Sequence, residues 1–464
     1  MTATTATLDI TNPVDGTAVG RLPAAGPDEL ATAVERARAA AGGWARTAPA
    51  ARGAAVRSAA EALAAGAEEL AGVHERETGR PRDEAHDSIM AGFGTLTQYA
   101  ELGPLHRGRS LLGDWSATDL MIHEPRGVVV ALTPWNDPVA VSCGLLGAAL
   151  VTGNPVVHKP SERCPHTGRL LGRLLAGAFP DGVLQTVLGD GTAGAALAAN
   201  PDVDVVAHVG GTATGRSIAM SAARSGAKAL LENGGNDALL IDADVDPAWA
   251  AEQATVGAFS NAGQICTAVE RIYVHERIAG PFLAALAAEA GRWVAAPLET
   301  GQRRLCPLVD RAHRDQVHAH VAGAVDAGAR LLAGGTVPDG PGAWYPATVL
   351  AGCTDGMVVL REETFGPVAP VVAVPSFADG LARAADGPYG LAATVLTGSM
   401  RNAQLAYRTL PVGTVKINAV FGGAPGGAAQ PRGTSGTGFG YGPELLDEMT
   451  FTKVVHLAPH GGVG

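Results

Sequence analysis

The stretch Gly127-Val128-Val129-Val130-Ala131-Leu132-Thr133-Pro134-Trp135-Asn136-Asp137-Pro138 begins as a continuous apolar run and ends in a loop bracketed by two prolines. Such a run, with no polar alternation, suits a strand buried on both faces. The pattern recurs at Pro155–His158, Val183–Leu188, Val203–Val209 and Ala227–Glu232, with helix-like stretches at 138–152, 165–178 and 191–199 between the first four. Strand, loop and helix in alternation predict a parallel sheet covered on both faces, with ligands at the carboxyl ends of its strands.

Outward from this core, the residues before it read as helices. Leu30, Ala33, Val34 and Ala37 recur at helical spacing after Gly26-Pro27-Asp28, and 51–64, 67–77 and 84–102 follow the same period. Glu77-Thr78-Gly79-Arg80-Pro81 punctuates them with a glycine stop and a proline. Residues 107–124 mix short polar and apolar residues, which predicts an exposed hairpin. After the core, the alternation restarts with Ile272–His275, helices 277–295 and 311–327, Ala369–Val374 and helix 377–385, so a domain boundary is expected near Gly235. Gly422–Gly442 is glycine-rich, and Phe451–Leu457 reads as a closing strand. The fold class is therefore α/β.

Composition narrows the functions. At 464 residues the chain is long enough for two large domains. Thirty-four basic against 45 acidic residues give a net charge of −11, with no Lys/Arg run and an aromatic share of 5%, which argues against nucleic acid and anionic membrane partners. Cys143, Cys164, Cys266, Cys306 and Cys353 are odd in number and contain no CxxC pair, so neither a disulfide framework nor a zinc site is expected. A reducing cytoplasm fits that usage. Met1–Ile10 lacks the pattern of a secretory signal, and no window approaches the ~20 apolar residues of a membrane span.

Several residues carry chemistry. Gly210-Gly211-Thr212-Ala213-Thr214-Gly215 follows a strand and opens a helix, which suits a phosphate, or simply a tight strand-to-helix turn. Lys159 and Glu162 follow the second strand, where they reach a nucleotide ribose or remain solvated loop charges. Asn136 lies between prolines at the first strand's carboxyl end, a fixed amide for an oxyanion or an ordinary turn residue. Glu232 ends a strand before two glycines, as a general base or an edge charge. Cys266 closes Phe259-Ser260-Asn261-Ala262-Gly263-Gln264-Ile265-Cys266; a lone cysteine is most often inert core, and the company of Asn136 and Glu232 at strand ends favours a nucleophile.

Together these residues resemble the aldehyde dehydrogenase superfamily over nearly the whole chain. The similar segments are PWN at 134–136, HKPSE at 158–162, the glycine loop 210–215, LENGG at 231–235, FSNAGQIC at 259–266 and EETFGP at 362–367, with ETGRP at 77–81 and FTKVV at 451–455. The resemblance implies that Cys266 attacks an aldehyde, that Asn136 and the Cys266 N–H hold the oxyanion, and that Glu232 activates the water that hydrolyses the thioester. It implies NAD as cofactor, with NADP the alternative. Lys159 and Glu162 would hold the adenosine ribose, and Gly210, Gly211 and Gly215 would form the phosphate loop. Glu363, Phe365 and Trp135 would line the nicotinamide side, with Asp137 and Thr267 on the substrate side. A Rossmann-like cofactor domain (1–106 and 126–235), an α/β catalytic domain (236–446) and a small β oligomerisation element (107–125 and 447–464) are implied, in a homodimer or homotetramer.

This chain also departs from the family pattern. Gly211 and Ala213 stand where a serine and an acidic residue are usual, Asn233 replaces a leucine, and Gly433 stands where a lysine is common before the SerGly of Ser435-Gly436. Asp137 replaces a bulky residue, which suggests a polar or cationic substrate unless its carboxylate caps the following helix. Arg432 is a candidate for a semialdehyde carboxylate. The alternatives in function are a CoA-acylating relative and a catalytically silent binding or structural member of the fold.

Overall fold

The computed structural model describes residues 6–295, 297–422 and 428–460. The chain opens with an antiparallel hairpin, β1 (Thr7–Thr11) and β2 (Ala18–Pro23), absent from the sequence reading. Its signal is short: Leu8, Ile10 and Leu22 are buried, and the turn between the strands includes Gly16 at φ 74°. Four helices follow: α1 (Pro27–Arg46), α2 (Pro49–Ala65), α3 (Ala67–Thr78) and α4 (Arg82–Leu102). In α1 the buried stripe is Leu30, Ala33, Val34 and Ala37, as its spacing requires. β3 (Arg109–Leu111) and β4 (Thr118–Pro125) form the expected hairpin.

The first domain's sheet is built from β5 (Val129–Leu132), α5 (Pro138–Val151), β6 (Val156–Lys159), α6 (Pro165–Ala176), β7 (Leu184–Thr186), α7 (Gly191–Ala199), β8 (Val205–Val209), α8 (Thr212–Ser225) and β9 (Lys228–Glu232). The parallel strands run in the order β9-β8-β5-β6-β7. Successive residues serve opposite faces: Val129 and Ala131 pack into the core beneath α2, α4 and α5, whereas Val130 and Leu132 pack toward α1, α7 and α8. After β5 the chain runs outward through β6 and β7, and only later through β8 and β9 on the other side. The crevice between the carboxyl ends of β5 and β8 is thus a topological switch point. Pro134–Asp137 and Gly210–Gly215 flank it.

The second domain continues with β10 (Asp237–Ile241), α9 (Pro247–Phe259), β11 (Val269–His275), α10 (Glu276–Ala290), a short pair β12 (Trp293–Val294) and β13 (Arg303–Arg304), α11 (Arg311–Asp326), β14 (Arg330–Ala333), β15 (Thr348–Ala351), β16 (Val368–Val374) and α12 (Phe377–Ala385). It closes with β17 (Tyr389–Gly390), β18 (Ala392–Leu396), α13 (Met400–Thr409), β19 (Thr414–Ile417) and β20 (Arg432–Gly433), the last paired with β17. Its sheet order is β14-β15-β16-β11-β10-β18-β19, with only β14 antiparallel. Residues 423–427 of the glycine-rich tail lie outside the described residues.

The chain then returns to the first domain earlier than the expected end of the catalytic span at 446. β21 (Gly436–Thr437) adds antiparallel to β9, and α14 (Glu444–Glu448) buries Leu445 and Leu446 in the first domain's core. The apolar pair in α14 draws the chain back. β22 (Thr450–Leu457) finally pairs along all eight residues of β4, giving a three-stranded sheet in the order β22-β4-β3.

One buried carboxylate ties the helical layer to the sheet. The N-cap of α6, Cys164, offers no side-chain cap. Glu77, near the end of α3, supplies it instead: one carboxylate oxygen accepts the His166 N–H at 2.8 Å, and the other accepts the Thr167 N–H at 2.7 Å and the Thr167 hydroxyl at 2.6 Å. An anion at a helix N-terminus also meets the favourable end of the dipole. Glu77→Ala leaves these buried donors without acceptors and is expected to lower unfolding stability by about 3 kcal/mol, with Glu77→Gln intermediate. Urea unfolding of the three proteins checks this ranking, and equal stability of the alanine variant would contradict it.

Candidate active site

The turn that carries Cys266 is unusual in its backbone. α9 starts with the Asp246 carboxylate accepting the Trp249 N–H at 2.8 Å, and it ends at Phe259. Asn261, Ala262 and Gly263 then take φ of 48°, 53° and 74°, three left-handed residues in succession. Such conformations cost non-glycine residues ~1–3 kcal/mol each, so neighbours must impose them. At Gly263 the approach is also close: a Cβ there would stand 2.2 Å from the Gly366 carbonyl oxygen. Buried Gln264 locks the turn, its Nε2 donating to the carbonyls of Asn261 (3.0 Å) and Pro307 (3.3 Å) while its Oε1 accepts the Val309 N–H at 2.9 Å.

Cys266 emerges from this turn into a cavity of about 360 Å³ lined by residues of the 134–137, 210–211, 232–234 and 363–365 segments. It is the exposed cysteine, while Cys143, Cys164, Cys306 and Cys353 are buried. Although its surface opens to the cavity, the protein packed around the sulfur pushes the thiol up to about 12, and the carboxylates of Asp237, Glu232 and Glu363 add to the effect. Burial and these carboxylates thus disfavour the thiolate form of Cys266 in the absence of a ligand.

Asn136 and Glu232 face the same cavity. The Asn136 amide donates through Nδ2 to the Gln264 carbonyl at 3.0 Å, which ties the loop after β5 to the cysteine turn and leaves the second amide hydrogen for another acceptor. Glu232 ends β9, and burial raises its carboxyl to about 7, opposed by the Gly440 N–H that donates to it at 2.9 Å. Only glycine fits at 440, since a Cβ would lie 2.1 Å from Glu232 Cγ.

Around the cavity's other side, Phe365 takes φ 53° and sets its ring edge-on to Trp135 at 5.6 Å. Glu270 imposes this turn from beneath, accepting the N–H groups of Phe365 at 2.7 Å and Thr364 at 2.9 Å. Glu363 lines the cavity too, accepts the Gly235 N–H at 3.0 Å and is raised by burial and by Glu270.

Lys159 and Glu162 lie at the end of β6, paired at 3.4 Å. They do not line this cavity. Gly210 and Gly211 do, and Gly211 is the N-cap of α8, with open space where a Cβ would project. Gly215 instead lies against Asn233, whose Oδ1 would stand 2.0 Å from an added Cβ. The open helix N-terminus, the Lys159–Glu162 pair and the Trp135–Phe365 aromatic pair follow the switch point, and this donor set fits a dinucleotide.

The substrate-side expectations change more. Asp137 lines the cavity, but neither as a free carboxylate nor as a cap of α5: Ser88 donates to it, and the Arg80 guanidinium stands 3.4 Å away. Its charge is compensated, so it is not by itself an anchor for a cation. Thr267 is half-buried just beyond Cys266 and is not among the described lining residues. Arg432 is exposed in β20, which pairs with β17, and is not among the lining residues either.

Sequence reasoning missed Arg80, Arg163, Gln264 and Gly440. Arg80 was in view inside ETGRP but served there only as helix punctuation, and Arg163, directly after HKPSE, stacks over Trp135 at 5.3 Å while pairing with Asp310 at 3.2 Å. Gln264 lay inside a quoted motif. Gly440 carried no local signal, because its partner is 208 residues away.

Comparison with known proteins agrees with this geometry. The family model described as "Aldehyde dehydrogenase family" matches residues 1–455. The chain is 34% identical over 429 residues to 2-hydroxymuconic semialdehyde dehydrogenase of Pseudomonas sp. (strain CF600), covering 89% of this chain and 88% of that protein. The crystal structure of an NAD-dependent aldehyde dehydrogenase from Sinorhizobium meliloti superposes with a TM-score of 0.94 at 32% identity, over 99% of this chain and 93% of that one. A Staphylococcus aureus betaine aldehyde dehydrogenase in complex with NAD+ gives a TM-score of 0.94 at 28% identity, over 99% and 92% of the two chains. With the match spanning both domains and the cavity between them, the chain belongs to the aldehyde dehydrogenase family.

Proposed function

We propose that the protein oxidises an aldehyde to its carboxylic acid with NAD through a covalent intermediate on Cys266. The observation that carries this reading is the meeting of Cys266, Asn136 and Glu232 in one cavity. The Cys266 thiol gives up its proton to solvent as the sulfur adds to the aldehyde carbon, giving a thiohemiacetal whose oxyanion takes the remaining Asn136 amide hydrogen and the Cys266 N–H. NAD, when bound, supplies the acceptor for the hydride that leaves this carbon. Glu232 then removes a proton from water as that water attacks the thioester, and the acid departs as the thiol re-forms.

Lys159 and Glu162 would hold the adenosine ribose, the N-terminus of α8 the diphosphate, and Glu363 with Phe365 and Trp135 the nicotinamide end. Glu162 favours NAD, since its charge repels a 2′-phosphate. Glu232 also favours hydrolysis over transfer to CoA, because thiolysis needs no base for water. Five free cysteines suit a reducing cytoplasm. Among the described residues, no helix is long and apolar enough to cross a membrane.

For the substrate we propose a small aldehyde that carries a polar or charged group. The Asp137–Arg80 pair in the cavity wall presents both signs of charge and supports this reading. The names of the Pseudomonas and Staphylococcus relatives point to charged aldehydes as well. We further propose a homo-oligomer assembled through the β22-β4-β3 sheet, which exposes Phe451, Val454 and Leu457 on β22 and Leu112 and Trp115 after β3. Exposed apolar side chains on an unpaired sheet edge are an association surface.

Four outcomes are expected. Cys266→Ala abolishes NADH formation, whereas Glu232→Gln keeps a first-turnover burst and loses at least about 100-fold in steady state. In the wild type, the steady-state rate rises with pH through about 7 as Glu232 loses its proton, and the burst amplitude does not follow it; stopped-flow absorbance separates the two, and an unchanged steady state in the glutamine variant would remove the general-base role. In an aldehyde panel, carboxylated, amino or hydroxylated members should exceed alkyl aldehydes of equal length by about tenfold or more in kcat/KM, about 1.4 kcal/mol, and indifference to polarity would count against the substrate proposal. Val454→Glu should reduce the mass measured by light scattering toward the 46.8 kDa of one chain, while a mass unchanged from wild type would place the assembly elsewhere.

A further inference from the structure

His208 is the penultimate residue of β8. Its side chain shares the face of Val206, the side covered by α7 and α8. The residue is 7% exposed, and neither ring nitrogen makes a well-aligned hydrogen bond among the described residues, although the Gly211 backbone lies close enough to act on the ring. Buried polar groups are almost always paired, so two orphaned nitrogens on one ring call for an occupant. The ring lies directly beneath the glycine loop: a Cβ added at Gly210 would stand 2.7 Å from its Cε1 and 3.0 Å from its Nε2. Thr212 Oγ1, in the first turn of the 14-residue helix α8, is buried and unpartnered as well. At Gly211, the N-cap of α8, an added Cβ would meet open space. Residues 211 and 213 contribute neither hydroxyl nor carboxylate to this helix end.

We propose that His208 donates a ring N–H to the diphosphate of the bound dinucleotide, beside the Thr212 hydroxyl and the N-terminus of α8. The inference rests on the NAD-dependent reading above and adds to it a cofactor-binding side chain. Burial, helped by the nearby positive Lys159, holds the imidazole well below its usual range at about 4, against a weaker opposite effect from the Gly211 backbone. The ring is therefore neutral at pH 7, with one N–H to donate and one nitrogen to accept. A core histidine with no ligand would contribute packing alone, and a phenyl ring of similar size would then replace it without effect on binding.

Calorimetric titration of NAD, ADP-ribose and adenosine into the wild-type protein and into His208→Phe and His208→Gln tests the assignment without turnover. The phenylalanine variant should lose about tenfold in affinity for NAD and ADP-ribose, and the glutamine variant, which keeps a donor, should lose about threefold or less. Adenosine, which lacks the diphosphate, should bind all three alike. Equal binding of ADP-ribose by wild type and the phenylalanine variant, or an equal loss for adenosine and ADP-ribose, would overturn the role of His208 and leave the NAD reading standing. A wild-type protein that binds neither NAD nor ADP-ribose would overturn both.

Discussion

The site depends first on a backbone that Asn261 and Ala262, the two non-glycine residues of the turn, would not choose alone. Asn261, Ala262 and Gly263 are held left-handed because the turn is clamped from two sides, by Gln264 bonded into the 307–309 segment and by the close approach of Gly366. The Phe365 turn opposite has the same character, with its own left-handed residue fixed by the buried Glu270. Strain on both walls of the cavity means that neither wall relaxes independently. A thiol delivered in this way needs no reorganisation at the moment of attack, which is how a folded protein converts packing energy into orientation.

A second consequence of that packing is electrostatic. Glu232, Asp237 and Glu363 all lie in poorly solvated surroundings near one sulfur, with Glu270 acting on the last two, and burial raises each of the four. Their partners are mostly backbone N–H groups, with Lys416 and Arg271 also drawing Asp237 down. A carboxyl raised to about 7 suits a proton acceptor better than an ordinary glutamate does, because it binds and releases a proton near neutrality. The resting thiol is disfavoured as an anion by the same burial first and by these carboxylates second.

The alternation of buried runs with helices was enough to read the first sheet, because strands such as β5 are apolar on both faces and announce themselves locally. Cys266, Asn136 and Glu232 were legible for a related reason: each ends or follows a recognisable element. What was not legible came from long-range pairing. In the hairpin β1–β2 the alternation is brief, Leu8 and Ile10 buried between exposed Thr7, Asp9 and Thr11, and β21 has only two residues, so its attachment to β9 rests on contacts that no local pattern carries. Asp137 shows the limit most clearly. Its position after Asn136 left open a place in the cavity or a cap of α5, and its charge could not be judged without Arg80 and Ser88, which arrive from around the start of α4.

The return of the chain through β21 has a bearing on how the molecule is made. Asn233 donates its N–H to Ser435 at 2.8 Å and its amide to Thr434 at 3.0 Å, Ser435 donates its hydroxyl to the Gly234 carbonyl at 2.8 Å, and Gly440 reaches Glu232 itself. During synthesis, therefore, a nascent chain that already displays Cys266, Asn136 and Glu232 still lacks the segment that covers the edge of β9 and fixes its last residues. The base is set in place only once the segment reaching Gly440, 208 residues beyond Glu232, has been made, so the order of translation itself delays completion of the site until that segment can pack.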